Sequence, residues 1–255
     1  MLNFTTMGEA NGLPPVVLAH GLFGSSKNLG GVARRLAQER RVLSVDMRNH
    51  GDSFHSPDHS YAALAADLAE VIAAEGSRAD LIGHSMGGKA AMTLALSRPE
   101  LLRRLAVLDI APLAYQHSQS GLIDAMEGLD LAGVTLRSEA DRRLSARIET
   151  PGVRAFLLQS LDLKSDPPQW KMNLPALRAE MDKITGWPDD LAPAAFGGPV
   201  LVLAGAESDY CAGPAVAAIT QYFPQAEIEF IPGAGHWLHA EAPAIVSERL
   251  AAFLA

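Results

Sequence analysis

The hexapeptide Gly83-His84-Ser85-Met86-Gly87-Gly88 limits the fold of this chain more than any other stretch. It fits G-x-S-x-G and stands between the apolar run Ala79-Asp80-Leu81-Ile82 and an Ala-rich segment, Met86 to Ser97, that Pro99 stops. A strand that enters a helix through so short a turn holds its serine in a strained backbone conformation. The residues two before and two after must then lack side-chain bulk, a need that Gly83 and Gly87 meet. The hydroxyl projects above the sheet, and the Met86 amide, at a helix N-terminus, points at any oxyanion forming there. Ser85 reads as a nucleophile.

The rest of the chain repeats the strand–helix alternation that this turn requires. Val16 to Ala19, Arg41 to Asp46, Leu105 to Asp109, Val200 to Leu203 and Ala226 to Ile231 are short apolar or β-branched runs. Helical segments separate them, at Asn28 to Gln38 and at Tyr61 to Glu75, where Leu64, Leu68, Val71 and Ile72 recur at helical spacing before Gly76. Strands apolar throughout and separated by helices predict an α/β protein with a mostly parallel sheet covered on both faces. From Pro112 to about Pro193 no strand is expected. Helical segments are expected at Gly121 to Glu127, Glu139 to Arg147, Val153 to Ser160 and Leu174 to Ile184. We expect residues 1–111 and 194–255 to form the core domain, and residues 112–193 a helical lid over the sheet's carboxyl edge, where such sheets bind ligands.

Composition narrows the function classes. The 255 residues, 48% of them hydrophobic, suffice for one sizeable core, and no Pro/Ser-rich linker divides them. A formal net charge of −8 with scattered Lys and Arg makes nucleic acid or an anionic membrane a poor partner. One cysteine, Cys211, allows no internal disulfide and has no adjacent cation to make it reactive. Apolar runs are too short to cross a bilayer, and residues 1–5 show no secretory pattern, so a cytoplasmic protein is expected.

A serine nucleophile needs a base. Of eight histidines, His236 stands in the glycine-rich loop Ile231-Pro232-Gly233-Ala234-Gly235-His236 directly after the last strand, where it can overhang Ser85. His239 reads as a surface or supporting residue, His84 should aim away under the helix, and His20 and His50 suit backbone bonding. A second oxyanion donor is expected at the Leu22 amide, in Ala19-His20-Gly21-Leu22-Phe23-Gly24, where Gly21 lets the backbone approach. The acid that orients the base stays open between Asp109, at the end of its strand, and Asp209 or Glu207 in Gly205-Ala206-Glu207-Ser208-Asp209. Phe23, Met86, Tyr115 and Trp187 are candidate pocket walls. The scattered histidines show no metal-ligand spacing, and no cofactor is called for.

These motifs are similar to those of the YbfF-type esterases of the α/β-hydrolase superfamily. The residues that carry the resemblance are His20 to Ser25, Asp46 to Gly51, Gly83 to Lys89, Asp109 to Pro112 and Gly233 to Trp237, followed by His239 to Glu241. They run in order from residue 16 to the C-terminus, while the lid offers little to match. The resemblance implies the α/β-hydrolase fold with a helical cap, Ser85 as nucleophile, His236 as base and Asp109 as acid. It further implies that Ser208 joins their hydrogen-bond network. The small-molecule substrates it implies are esters and acyl-CoA thioesters. C–C bond hydrolases and cofactor-free perhydrolases use a similar serine triad, and a catalytically silent binding protein could keep the fold.

Overall fold

A computed structural model of the protein describes residues 1–76, 78–189, 191 and 195–255. The amino-terminal half alternates β1 (Phe4–Met7), β2 (Val16–Ala19), α1 (Gly30–Leu36), β3 (Val42–Val45), α2 (Tyr61–Ala74), β4 (Ala79–His84), α3 (Met86–Ser97) and β5 (Leu102–Leu108). An inserted section follows with α4 (Ser120–Glu127), α5 (Arg137–Leu144), α6 (Pro151–Leu158), β6 (Leu161–Asp162), β7 (Gln169–Trp170), α7 (Leu174–Ala179) and α8 (Met181–Thr185). The chain then closes with β8 (Val200–Gly205), α9 (Ala215–Tyr222), β9 (Ala226–Ile231), α10 (Leu238–Glu241) and α11 (Pro243–Leu254).

Seven strands form one sheet in the order β1-β3-β2-β4-β5-β8-β9. Every pairing is parallel except that of β1 with β3. Side chains of a strand alternate between faces, and two cores result. Val17, Leu81, Leu105 and Val107 pack with α2, α3 and the inserted helices. Val16, Leu18, Ile82, Ala106 and Leu108 pack with α1 and α11 on the other face. α3 is buried along almost its whole length, so it carries Gly and Ala where neighbours press on all sides. At the sheet's amino end, fully buried Asp80 binds Arg40 at 2.6 Å and Arg103 at 2.5 Å, and both guanidiniums also hold the Leu254 carbonyl. Such a buried carboxylate is tolerable only with partners of this quality.

The observed elements depart from the sequence pattern in three places. β1 was not anticipated: it is an edge strand with only Phe4 partly covered, so it lacks the apolar run of the inner strands. Within the insertion, β6 and β7 form a small antiparallel hairpin where no strand is expected, each too short for any period to show. The single helix expected over Leu174 to Ile184 is two, α7 and α8, because Glu180 at φ −101° and ψ 10° ends one and starts the other. The expected lid boundary at residues 193 and 194 lies outside the described residues.

The insertion is fastened to the core by hydrogen bonds from both main chain and side chains. Gly51 N donates to Lys171 O at 2.8 Å and Asn173 N to Asn49 O at 2.9 Å. Ser160 Oγ donates to Phe23 O at 3.1 Å, and Tyr61 Oη to Ile184 O at 2.6 Å.

Candidate active site

Five loops leave the carboxyl ends of β2, β4, β5, β8 and β9, and they carry Leu22, Ser85, Asp109, Ser208, Asp209 and His236. Ser85 sits in the turn from β4 to α3 at φ 52° and ψ −121°. A Cβ on Gly83 would collide with the Gly87 backbone, and one on Gly87 with the Ala19 and His20 carbonyls. The turn is therefore possible only with glycine at both places. The Ser85 amide donates to Leu108 O at 3.0 Å, which locks the turn onto β5.

His236 hangs from the loop after β9. Its Nε2 lies 3.0 Å from Ser85 Oγ, and its Nδ1 lies 2.7 Å from Asp109 Oδ2. An ionised carboxylate only accepts, so Nδ1 carries the proton and Nε2 is left to accept from the serine hydroxyl. Asp109 is fully buried at the end of β5 with φ 50°. Gly205 N donates to its Oδ1 at 2.9 Å, and Ser208 Oγ donates to its Oδ2 at 2.5 Å. Glu207 and Asp209 are exposed. Of the three carboxylates left open by the sequence, Asp109 meets the histidine. Ser208 occupies the turn where Asp209 was the rival, and it binds Asp109.

The loop after β2 closes over the serine. A Cβ on Gly21 would lie 2.9 Å from His84 Nδ1 and 3.1 Å from Ser85 Cβ, so the loop approaches as closely as a bare backbone can. Two buried histidines brace it. His20 Nδ1 donates to Gly21 O at 2.8 Å and its Nε2 accepts from Met47 N at 3.0 Å. His50 Nδ1 donates to Arg48 O at 2.9 Å and its Nε2 accepts from Phe23 N at 3.1 Å. Burial lowers the pKa of both rings, that of His50 well below the ordinary value, which keeps them neutral and able to accept. Leu22 and Met86 both line the cavity that Ser85 and His236 share. The Met86 amide belongs to the first turn of α3, where the helix itself supplies no acceptor.

The cavity measures about 390 Å³, within the usual range for small-molecule sites. Phe23, Met86 and Tyr115 line it as expected, but Trp187 does not. Trp187 turns from the cavity to pack on Tyr222, ring centroids 5.7 Å apart, with its indole nitrogen buried and unbonded. The walls not anticipated include Tyr61, Phe156, Tyr210, Trp237 and Lys89. Lys89, one helical turn beyond Ser85, is 1% exposed. Its Nζ donates to Thr185 O at 2.9 Å and Gly186 O at 2.6 Å, and it lies 4.7 Å from the centre of the Tyr115 ring. Burial pulls its pKa down to about 7.

Residues 16–249 match the alpha/beta hydrolase family. The chain belongs to that family. It is 40% identical over 257 residues to the sn-1-specific diacylglycerol lipase ABHD11 of Mus musculus, covering 97% of this chain and 83% of that one. It is 36% identical to Esterase YbfF of Escherichia coli (strain K12), covering 94% and 92% of the two chains. Among solved structures, a marine microorganism esterase superposes with a TM-score of 0.93 at 35% identity, covering 99% and 98%. Family and relatives together support hydrolase activity of the serine type.

Two further histidines of this alpha/beta hydrolase, His84 and His239, pack beside the site. His84 lines the cavity rather than lying away under the helix, and its Nε2 donates to His236 O at 2.9 Å. His239 is buried rather than on the surface, with its ring 4.5 Å from that of His84 and its pKa lowered to about 4 by burial. Cys211 is buried and its thiol pKa is pushed up, by burial first and by Asp109 second, which disfavours a reactive thiolate. Among the described residues no helix is long and apolar enough to cross a membrane. Nor does any group of three or more His, Cys, Asp or Glu there suit a metal ion.

Proposed function

We propose that this hydrolase cleaves small carboxylic esters or acyl-CoA thioesters through an acyl-enzyme on Ser85. The observation that carries the reading is the line of contacts from Ser85 Oγ through His236 to Asp109, at 3.0 and 2.7 Å. In this reading His236 takes the Ser85 proton as Oγ attacks the substrate carbonyl. The amides of Leu22 and Met86 receive the developing oxyanion, a contribution of about 3 kcal/mol per donor where it has been removed from other enzymes. His236 then protonates the leaving alcohol or thiol, and next draws a proton from the water that releases the acid. Asp109 holds the tautomer and stabilises the imidazolium, with Ser208 and Gly205 fixing the carboxylate.

Residues 112–193 act as the lid of this site, since Leu122, Ile148, Val153, Phe156 and Ile184 share the cavity with Ser85. The mostly apolar walls suit an acyl chain of modest size. Relatives named as an esterase and a diacylglycerol lipase point to carboxylic esters as the bond class. A cytoplasmic location belongs to the same proposal.

The test is a panel of 4-nitrophenyl esters and acyl-CoA thioesters of increasing chain length, read as kcat/KM for the native protein and the S85A variant. Turnover of short and medium acyl groups that disappears in S85A is the expected result. No turnover of either bond class, or equal turnover by S85A, rejects the reading.

A further inference from the structure

We propose that Tyr210 is a positioning residue for His236, whose ring it covers in a face-to-face stack that favours the imidazolium. The two ring centroids are 4.0 Å apart and the planes are inclined by 20°. Among the described residues the other rings near His236 are less parallel and farther away: His84 at 4.8 Å and Trp237 at 6.0 Å. The proposal rests on the reading of His236 as the base.

Tyr210 is itself held on three sides. Its amide donates to Ser208 Oγ at 3.3 Å, and its carbonyl accepts from Tyr115 Oη at 2.8 Å. Its hydroxyl lies 2.8 Å from His117 Nε2, and the Tyr115 hydroxyl accepts in turn from Ala111 N at 2.9 Å. Ser208 therefore bonds both the Asp109 carboxylate and the backbone that carries the stacked ring. Burial, and after it the charge of Asp109, raises the Tyr210 pKa, so the ring stays a neutral phenol.

A flat aromatic face does two things for an imidazole. It blocks rotation of the ring away from Ser85, and its negative quadrupole favours the protonated form over the neutral one. The second effect is greatest when His236 carries its extra proton, as it does while Ser85 is being acylated. Other groups facing His236 act on the same equilibrium: the Asp109 carboxylate favours the cation, while His84 and His239 are kept neutral by burial.

Substitution of Tyr210 tests this through the pH profile. For Y210L, kcat/KM on one activated ester should fall about tenfold at its plateau, and the acid limb should move down by about one pH unit, both expressing the same lost cation–π interaction. Y210F keeps the stack and should leave the acid limb where the native protein has it. Y210M carries the same prediction as Y210L should the latter not fold. An acid limb that stays in place or moves up in Y210L or Y210M overturns the proposal, leaving Tyr210 as packing alone. So does a loss in Y210F equal to that in Y210L, which would assign the effect to the hydroxyl and His117. H236A separates this from failure of the underlying reading. If H236A keeps full activity, His236 is not the base, whereas an inactive H236A with an unmoved limb in Y210L sinks the Tyr210 proposal alone.

Discussion

Replacing Asp109 by Asn removes one charge and almost no volume, yet the contacts around it predict a large effect. Oδ1 accepts from Gly205 N, while Oδ2 accepts from both Ser208 Oγ and His236 Nδ1. The carboxamide must keep its oxygen on Gly205, because the reverse orientation sets NH₂ against a buried N–H with no acceptor for either. The NH₂ then takes the place of Oδ2 and points at His236 Nδ1, which must become the acceptor. His236 switches tautomer, Nε2 carries the hydrogen, and it can no longer take the Ser85 proton. A loss of kcat on the order of 10⁴-fold follows, equivalent to about 5.5 kcal/mol of transition-state stabilisation. D109N and D209N should be compared on one activated ester, with Tm recorded for each. D209N, which alters an exposed side chain, should stay within about twofold. A loss below tenfold in D109N, or a comparable loss in D209N, refutes the reasoning.

G21A introduces a methyl 2.9 Å from the His84 ring and 3.1 Å from Ser85 Cβ, in a backbone conformation open to any residue. It should displace the loop after β2 from Ser85 and lower kcat by roughly 10- to 100-fold with little change in Tm, and unchanged kcat speaks against the close approach. Lys89 makes stability depend on pH. Its folded pKa of about 7 lies below the ordinary 10.5, so the unfolded chain binds more protons between those values and stability rises with pH across that window. Unfolding free energies from urea titrations at pH 7, 8 and 9 should climb more steeply in the native protein than in K89M, by up to about 1.4 kcal/mol per pH unit. Parallel slopes contradict a depressed lysine.

How much of the site could be read in advance followed from how local its causes are. Gly83, Ser85 and Gly87 are set by one turn, and His236 by a glycine-rich loop after the last strand, so both were legible from a few residues each. Asp109 against Asp209 was not, because the outcome depends on sheet order. β5 lies between β4 and β8, which brings Asp109 beside Ser85 and under His236. The register that does this pairs residues far apart in the chain. Trp187 looked like a pocket wall only by its type, and its packing on Tyr222 joins the insertion to α9, which no spacing encodes. Lys89 could have been found, since it follows Ser85 by four residues on one helix face. The stack of Tyr210 on His236 brings together loops after β8 and β9, so only the folded chain contains it. β1 went unseen because an edge strand with exposed threonines carries no hydrophobic period.

The central claim is that Ser85 is a nucleophile activated by His236, and a fluorophosphonate probe tests it most directly, because an activated serine displaces fluoride from the reagent far faster than an ordinary hydroxyl does. Intact-protein and peptide mass spectrometry should find one adduct per chain, on Ser85, absent from S85A and strongly slowed in H236A. No adduct on the native protein, or equal labelling of S85A, would contradict the account.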